Sequence, residues 1–355
     1  GITMTINIRD VIKTAPITAS APCRVDMGGT LDLSTFYIPL RRIEPCTFNM
    51  ALSLRTLVRI EAWEQGAVRV ASKGFKSAEF PAGRAPFNHP LGFMFAVANY
   101  FNANGISITI ESSSPPRSAL GGSSSAAVAL VAALQAAGSH SGGKPMTRRN
   151  AVLLAHALES SVAGVPCGLQ DHLAAAYGGV NAWYWPVSMA SPVFRQVSVV
   201  TPARFNELAA HTLVAYCGKP HTSADINGEW VRQFIAGEKR ERWARVAEYT
   251  HTFINALSEM DIGKAAASMN REVDVRLAMT PGVLDEIGGP LVEAAIACSC
   301  GARFTGAGGG GCVWALGSAE DIDRLRQMWE TILSARADAR LLDSSIDDRG
   351  LEIHP

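Results

Sequence analysis

The run Pro115-Pro116-Arg117-Ser118-Ala119-Leu120-Gly121-Gly122-Ser123-Ser124-Ser125-Ala126-Ala127 leads directly into apolar, helix-forming sequence at 128–134. The prolines stop the preceding segment, and the glycines let the backbone approach an anion closely. Because the first N–H groups of a helix carry partial positive charge, the pattern predicts a phosphate-binding turn at a helix N-terminus. Its serine hydroxyls can bind phosphate oxygens or Mg²⁺. A flexible Gly/Ser connector is the alternative, and the apolar run that follows argues against it.

The composition indicates a compact globular protein with two domains. The chain has 355 residues, of which 48% are hydrophobic and 18% are charged, which disfavours disorder. Its 32 basic and 32 acidic residues balance, so no charge pattern suggests binding to nucleic acid or an anionic membrane. The partners that we expect are small molecules, and the oligomeric state stays open.

The cysteines and the hydropathy pattern indicate the cellular compartment of the protein. Seven cysteines, an odd number, are scattered without a CxxC pair, which favours reduced thiols over a disulfide framework or a zinc site. The sequence shows no secretory segment and no apolar stretch near the ~20 residues of a membrane span. We therefore expect a cytoplasmic protein.

Hydrophobic periodicity predicts an α+β fold with two lobes that meet near residue 195. Alternating or β-branched runs predict strands at 57–63, 67–71, 106–111, 179–185, 194–200, 211–216, 302–305 and 312–316. Helical spacing predicts helices at 90–101, 125–137 and 147–162, with Thr147 as an N-cap, and the second half is mostly helical.

Two other glycine motifs do not fit the functions that they suggest. Residues 138–144 satisfy GxxxxGK, but Pro145 replaces the Mg²⁺-binding Ser or Thr and a helix precedes the motif, so we interpret it as an interhelical loop. Residues 306–311 contain a GxGxxG register, but strand-like sequence follows where a dinucleotide site needs a helix.

Three glycine-bearing segments stand in order along the chain, at 24–32, 115–127 and 305–312. This ordered triplet resembles the GHMP kinases, the superfamily named for galactokinase, homoserine kinase, mevalonate kinase and phosphomevalonate kinase, over about residues 21–316. The resemblance implies a ribosomal-protein-S5-like N-terminal α/β lobe at 15–195 and a ferredoxin-like C-terminal GHMP lobe at 196–350. ATP and a small acceptor would bind in the cleft between these lobes.

The resemblance also implies nucleotide and metal contacts. Those expected to bind ATP are Pro116, Leu120, Gly121, Gly122, Ser123, Ser124, Ser125, Gly308 and Gly309, and Mg²⁺ would be held by Ser123 and Glu159. An exposed helix glutamate is the alternative for Glu159. One position departs from the family pattern, because Ala119 stands where the family has glycine.

The segment 165–181 resembles the catalytic segment of the sugar-kinase branch, with GxQD before an alanine-rich turn and a double glycine. It implies that Asp171 is the base that takes the proton from the acceptor hydroxyl. A carboxylate suffices because proton transfer is late in a loose phosphoryl-transfer transition state. Arg24 would orient Asp171 or stabilise the developing alkoxide. A helix N-cap is the alternative role for Asp171, and a surface charge is the alternative for Arg24.

The segment 24–32 is the best sequence indication of the acceptor. It is closest to the RVD…GGxxD form of fucokinase-like and heptose-7-phosphate-kinase-like sugar-1-kinases, and it lacks the GRxNLIGEH signature of galactokinase and the GEH signature of mevalonate kinase. The residues implied to bind substrate are Asp26, Gly28, Gly29, Thr30, Asp32, Gln170 and Gly306. Lys219 or Ser223 could contact a substrate phosphate, and a plain loop is the alternative there.

The function predicted from these residues is an ATP- and Mg²⁺-dependent kinase. It would phosphorylate a hydroxyl, with the anomeric one favoured, of a monosaccharide or sugar phosphate. The alternatives are a catalytically silent sugar- or ATP-binding sensor on the same fold, a GHMP kinase with a non-sugar acceptor, and the decarboxylase branch of the superfamily.

Overall fold

A computed structural model describes residues 7–138, 146–190, 192–221 and 225–354. Ser223 and residues 139–144 of the GxxxxGK loop lie outside these ranges. The described residues form two β-sheets with helices packed against them, and the predicted α+β fold with two lobes is confirmed. None of the described helices has the length and apolar character that crossing a membrane would need.

The larger sheet has eight strands in the described part of the chain. Six follow the order β12-β1-β2-β5-β3-β4, and β6 pairs with β2 and with β7. Its strands are β1 (Ile17–Met27), β2 (Cys46–Ala62), β3 (Ala67–Ser72), β4 (Ala78–Pro81), β5 (Ile106–Ser112), β6 (Val180–Tyr184), β7 (Arg195–Val200) and β12 (Glu352–His354). β3 and β5 are parallel, and the other pairs are antiparallel.

The smaller sheet has the order β11-β8-β10-β9. Its strands are β8 (Thr212–Tyr216), β9 (Gly301–Phe304), β10 (Cys312–Leu316) and β11 (Arg340–Leu341). β9 and β10 are antiparallel neighbours joined by the glycine-rich segment, as the sequence predicts. The predicted lobe boundaries at 195 and 350 stay predictions: β7 still belongs to the larger sheet, and β12 returns to it beyond residue 350.

The helices include the three that periodicity predicts. In chain order they are α1 (Ile8–Thr14), α2 (Ser34–Tyr37), α3 (Gly92–Tyr100), α4 (Gly122–Gly138), α5 (Arg148–Val162), α6 (Gln170–Tyr177), α7 (Phe205–Ala209), α8 (Ile226–Ile235), α9 (Arg240–Ser258), α10 (Ile262–Met279), α11 (Gly288–Ala297) and α12 (Ala319–Leu333). Thr147 caps α5, because its side chain accepts from the backbone N–H of Asn150.

Helix α4 lies in the core of the first lobe. Every residue from Ser124 to Leu134 is buried, and α4 packs on β1, β2, α5 and α6. A helix that is apolar on all sides is stable only when it is surrounded, and the alanines let its neighbours approach closely. This burial fixes the N-terminus of α4 at the edge of the cleft.

A β-bulge in β2, at Ser53 and Leu54, lies opposite the middle of β1. The register of β1 against β2 shifts between Pro22 and Cys23. Before the shift, Ala19 and Ala21 pack in the core around α4, and after it Cys23, Val25 and Met27 pack in the core between the two sheets. The even-numbered residues that alternate with these, Arg24 and Asp26, contact Asp171 and Gln170 of α6.

A buried network of charges joins the two lobes. Glu272 on α10 accepts from Arg276 Nε and from Arg303 Nε, each at 2.6 Å, and Arg303 also pairs with Asp26 on β1. Arg276 stands between the rings of Trp230 and Trp243, with its guanidinium carbon 5.0 and 4.9 Å from their centroids. Burial alone would raise the pKa of Glu272, but Arg303 and Arg276 outweigh it and lower that pKa.

We predict that Glu272→Gln lowers the free energy of unfolding by about 3–5 kcal/mol, because it leaves two buried guanidiniums without their shared counter-charge. Equilibrium urea unfolding measures the change. Glu207→Gln is the control, since the Arg204–Glu207 pair lies at the surface and its loss should have no measurable effect. Equal unfolding curves for Glu272→Gln and the parent would contradict the role of the network.

Candidate active site

A cleft of about 620 Å³ lies where the two lobes meet. Residues from β1, α3, β5, α4 and α6 line it, and the second lobe contributes His221, Asn227, Gly306 and Ala307. The predicted site residues that line it are Arg24, Gly29, Thr30, Asp32, Pro116, Gly121, Gly122, Ser123, Glu159, Gln170, Asp171 and Gly306. Of the other predicted site residues, Leu120, Ser124, Ser125, Gly308, Gly309, Asp26 and Gly28 do not line it.

The turn before α4 has the irregular backbone that its sequence suggests. Arg117, Ala119 and Gly121 have φ angles of 51°, 60° and 76°. Ala119 therefore adopts the left-handed conformation that glycine adopts more readily, at a cost of about 1 kcal/mol. The turn is fixed to β1, because the backbone N–H of Arg24 donates to the carbonyl of Leu120 at 2.9 Å.

Only the first of the three serines in this turn faces the cleft. Ser123 is exposed, whereas Ser124 and Ser125 are buried, and the hydroxyl of Ser125 donates to the carbonyl of Pro22 at 2.7 Å. Leu120 belongs to the core between the two sheets. The geometry is therefore at odds with the prediction that Leu120, Ser124 and Ser125 contact a nucleotide through their side chains.

The glycine-rich segment 306–311 packs against the turn. A Cβ on Gly311 would lie 2.5 Å from the carbonyl oxygen of Ser118 and 2.8 Å from Cβ of Ala119, so a side chain is excluded. Gly308 and Gly309 instead contact Val283, whose carbonyl accepts from the N–H of Gly309 at 3.0 Å. Gly308 and Gly309 do not line the cleft, whereas the resemblance implies that they contact the nucleotide.

Arg24 and Asp171 form the charged pair at the centre of the cleft. Nε and Nη2 of Arg24 lie 2.7 and 2.6 Å from Oδ1 of Asp171, and Nη1 donates to the carbonyl of Ala119 at 2.9 Å. The Arg24 side chain is 3% exposed and that of Asp171 is 29% exposed. In the described part of the chain, no donor contacts Oδ2 of Asp171. Asp171 is the second residue of α6, so it is not the N-cap, which is Leu169.

Asp26 does not face the cleft, and both of its carboxylate oxygens are occupied. Oδ1 accepts from Arg303 Nη1 at 3.2 Å and from the N–H of Gly306 at 3.0 Å, and Oδ2 accepts from Gln170 Nε2 at 2.7 Å. Burial would raise the pKa of Asp26, but Arg24 and Arg303 outweigh it and lower that pKa. This corrects the expectation of a sugar contact, because Asp26 instead binds three separate segments of the protein together.

Asp32 is the carboxylate that faces the cleft beside Asp171. Its Oδ2 accepts the backbone N–H of Gln170 at 3.2 Å, and a Cβ on Gly168 would overlap it at 1.8 Å. Gly168 of the GxQD motif therefore makes room for Asp32. Burial, with the charge of Asp171 adding, raises the pKa of Asp32 to about 6.

Thr30 and Asn227 bring the two lobes together at the same end of the cleft. The hydroxyl of Thr30 donates to Oδ1 of Asn227 at 2.8 Å and accepts from Arg276 Nη1 at 3.2 Å. Arg276 Nη2 also donates to the carbonyl of Gly29 at 2.5 Å. Gly28 lies behind this loop, where its φ of 72° and the nearby Thr250 leave no room for a side chain.

Glu159 lies on α5 at the cleft wall, and its side chain is 20% exposed. Its Oε2 is 2.5 Å from Nε2 of His172, a fully buried residue of α6. Burial would raise the pKa of Glu159, but the hydrogen bond from His172 outweighs it and lowers that pKa. Glu159 and Ser123 line the same cleft, so both side chains offer oxygen ligands to a cation bound there.

Aromatic and aliphatic side chains form part of the cleft wall. Phe75, Phe87, Phe93, Met94 and Ile110 form this wall. Two basic residues stand between it and the turn: Lys73 lines the cleft, and the Arg117 guanidinium lies 5.3 Å from the Phe75 ring. Lys219 instead pairs with Glu286 at the surface, and Ser223 lies outside the described residues.

Sequence reasoning missed Asn227, Arg276, Arg303 and His172. None belongs to one of the glycine motifs, although Arg303 stands two residues before one and His172 directly follows Asp171. No local pattern marks a polar residue whose partner lies far along the chain: Asn227 and Thr30 are 197 residues apart, and Arg303 and Asp26 are 277 residues apart.

The chain has a family match and structural neighbours among phosphotransferases. Residues 88–179 match the family model "GHMP kinases N terminal domain". This segment is therefore similar to the N-terminal domain of the GHMP kinases, a superfamily whose members are kinases that use ATP.

Individual relatives differ in their acceptors. A mevalonate kinase from Pyrococcus horikoshii is 25% identical over 298 residues, which cover 75% of this chain and 80% of the relative. The solved structure of a D-glycero-D-manno-heptose 1-phosphate kinase from Bacteriodes thetaiotaomicron superposes with a TM-score of 0.72 at 15% identity, covering 96% of this chain and 99% of the other. Lactococcus lactis galactokinase complexed with galactose gives 0.70 at 17% identity, with 97% of each chain covered.

The raised pKa of Asp32 predicts a pH-dependent stability difference for Asp32→Asn. The folded state binds this proton more tightly than the unfolded chain, whose value is near 3.8. Below pH 4 the carboxyl therefore contributes stability that is lost as the pH rises through 6. Because asparagine stays neutral, the free energy of unfolding of the variant relative to the parent should rise by up to about 3 kcal/mol between pH 4 and pH 8. Urea unfolding at several pH values measures this, and a constant difference would contradict the assignment.

Proposed function

We propose that this chain is an ATP- and Mg²⁺-dependent kinase that phosphorylates a hydroxyl of a monosaccharide or sugar phosphate. The observation that carries the proposal is that Asp171, held by Arg24, opens on the same cleft as the Gly121–Ser123 turn and Glu159. A base, an anion-binding helix N-terminus and a metal-ligating carboxylate are the parts that phosphoryl transfer from a nucleotide needs.

The nucleotide fits the apolar wall of the cleft and the turn before α4. Phe75 and Phe93 offer flat apolar surface for a purine base. The N-terminus of α4 and the exposed hydroxyl of Ser123 then receive the phosphates, with Lys73 and Arg117 adjacent. Gly121 and Gly122 keep this path free of side chains, so the backbone N–H groups stay accessible.

Mg²⁺ fits the oxygen ligands at this position. Ser123 and Glu159 both line the cleft, and a hydroxyl with a carboxylate matches the preference of Mg²⁺ for hard oxygen ligands. When bound with ATP, Mg²⁺ neutralises charge on the phosphates. Because the pKa of Glu159 is held low, its carboxylate is ionised at neutral pH.

Asp171 accepts the proton of the acceptor hydroxyl. Arg24 binds Oδ1 and so fixes the orientation of the carboxylate, and Oδ2 is available to accept a proton. The guanidinium of Arg24 also lies beside the oxygen that becomes negative as the proton leaves, and it stabilises that charge. Retention of this base together with Glu159 favours a kinase over a silent sensor.

A sugar is favoured as the acceptor by the charges at its end of the cleft. Asp32, Thr30 and Asn227 provide hydrogen-bonding groups suited to vicinal hydroxyls. The guanidiniums at this end are already engaged, because Arg24 is paired with Asp171 and Arg276 is paired with Glu272. An acceptor that carries a carboxylate would therefore meet Asp32 and Asp171 with little compensation. A mevalonate-type acceptor is the competing candidate, and the mevalonate kinase relative favours it.

We predict that Asp171→Asn lowers kcat about 10²–10⁴-fold, because the amide keeps the shape but cannot accept the proton. Its affinity for ATP, measured by calorimetry, should change less than about twofold, since the turn before α4 is untouched. Asp225→Asn is a matched control, because Asp225 caps α8 outside the cleft. A variant that kept more than half of the parent kcat would show that Asp171 is not the base.

An ADP-release assay over a panel of acceptors tests the substrate class. We expect turnover of a reducing aldohexose, deoxyhexose or heptose phosphate, with the new phosphate located by ³¹P NMR. Mevalonate and homoserine should be poor, because each polar group left unpaired costs about 1–3 kcal/mol, or roughly 10–100-fold in kcat/KM. Turnover of mevalonate with none of any sugar would overturn the sugar acceptor and leave the kinase class standing.

A further inference from the structure

Three side chains with metal-binding atoms meet where α5 ends and α6 begins. They are Glu159 on α5, Cys167 in the connection and His172 on α6, and one ligand atom from each lies within 4.8 Å of those of the other two. The phosphoryl transfer proposed above uses only Glu159 of these three. His172 takes part in it only through its hydrogen bond to Glu159, and Cys167 has no part in it.

The imidazole of His172 is held in an environment that the fold alone does not explain. It is fully buried, Nε2 contacts Glu159 at 2.5 Å, and Nδ1 has no hydrogen-bond partner in the described part of the chain. An unpaired buried nitrogen costs about 1–3 kcal/mol, so an apolar side chain would suit a purely structural position better.

A second histidine holds the cysteine in place. His156 Nε2 donates to the backbone carbonyl of Cys167 at 2.8 Å, and the rings of His156 and His172 meet edge to face with centroids 5.5 Å apart. The loop that carries Cys167 is therefore anchored to α5 next to Glu159. Such supporting hydrogen bonds orient the groups that bind a metal directly.

The set of ligand atoms is suited to a different ion from Mg²⁺. A thiolate, an imidazole and a carboxylate are typical of Zn²⁺ and similar cations, whereas Mg²⁺ takes oxygen ligands. With bonds of about 2.0–2.3 Å, tetrahedral ligand atoms lie roughly 3.3–3.7 Å apart, so side-chain shifts of about 1 Å would complete the site. Three protein ligands leave the fourth position for water.

Solvent and cations can reach this position. Glu159 lines the cleft, and Cys167 is half-buried. Burial, followed by the nearby carboxylates of Glu159, Asp171 and Asp32, raises the pKa of the Cys167 thiol, and these carboxylates make the local potential negative. This negative potential attracts a divalent cation. The thiol proton and the proton between Glu159 and His172 would pass to solvent as the ion binds.

We propose that Glu159, Cys167 and His172 form a binding site for a thiophilic divalent cation of the Zn²⁺ type, and that its occupation inhibits the enzyme. The inhibition follows because one carboxylate cannot serve both ions: Glu159 turned toward Cys167 and His172 is withdrawn from Mg²⁺. The binding site stands on its own geometry, whereas the inhibition rests on the proposed kinase function.

Co²⁺ is the probe for the site, with the full chain first treated with a chelator. The parent should bind one Co²⁺ with a thiolate charge-transfer band in the near-ultraviolet, which Zn²⁺ abolishes. Cys167→Ser should lose the band, and His172→Gln, which can still hydrogen-bond to Glu159, should weaken Co²⁺ binding at least about tenfold. Cys298→Ser, in the second lobe, should keep both the band and the affinity.

The second measurement is the kinase rate as Zn²⁺ is increased at several Mg²⁺ concentrations. The parent should be inhibited, Mg²⁺ should relieve the inhibition, and Cys167→Ser should need at least about tenfold more Zn²⁺. A parent without the cobalt band, or a band that persists in Cys167→Ser, would overturn the site. A band without inhibition would overturn the inhibitory role alone. Because the spectrum needs no turnover, failure of the kinase proposal is detected separately.

Discussion

The carboxylate of Asp26 is the constraint on which the rest of the structure depends. The carboxylate accepts hydrogen bonds from Gln170 at the start of α6, from Arg303 on β9 and from the backbone N–H of Gly306. The indole N–H of Trp314 donates to the backbone carbonyl of Asp26 at 3.1 Å. A fully buried carboxylate is tolerated only when its charge and lone pairs are satisfied. The start of α6 and the segment from Arg303 to Gly306 therefore converge on β1, because each supplies donors that this carboxylate requires.

This convergence sets the positions of the reactive groups. Arg24 and Asp26 are two residues apart on β1, so their side chains lie on the same side of the strand. Asp26 binds Arg303 of the second lobe, and Arg24 fixes Asp171. Gln170 and Asp171 are adjacent on α6 and meet Asp26 and Arg24 respectively. Asp26 therefore links the inter-lobe ion network to Gln170, the neighbour of Asp171, and a change in the network alters the position of Asp171.

The sequence predicts the elements with strong periodicity and the segments that form the cleft. The burial of α4, the strand pair joined by glycines and the N-cap at Thr147 all follow from local pattern. The resemblance assigns all three serines of the turn to ATP, and Ser123 also to Mg²⁺. Only the structure shows that Ser124 and Ser125 are buried, because the helix phase that decides this is set by the core. The resemblance implies that Asp26 binds substrate. Its ion pair with Arg303 could not be predicted from local sequence, because the two residues are 277 positions apart. Strand β12 has three residues, too few for a pattern.

The path of the chain between the sheets constrains how the lobes can move. After β7 the chain leaves the larger sheet, and beyond β11 it returns, where Ile346 bridges to Leu52 and Asp347 pairs with Arg55 at 2.6 Å. A body tethered by one linker can swivel, whereas one tethered at two separated points turns only about the line that joins them. Opening of the cleft is therefore restricted to one axis. The groups that face each other across it, such as Thr30 and Asn227, return to the same alignment at every closure.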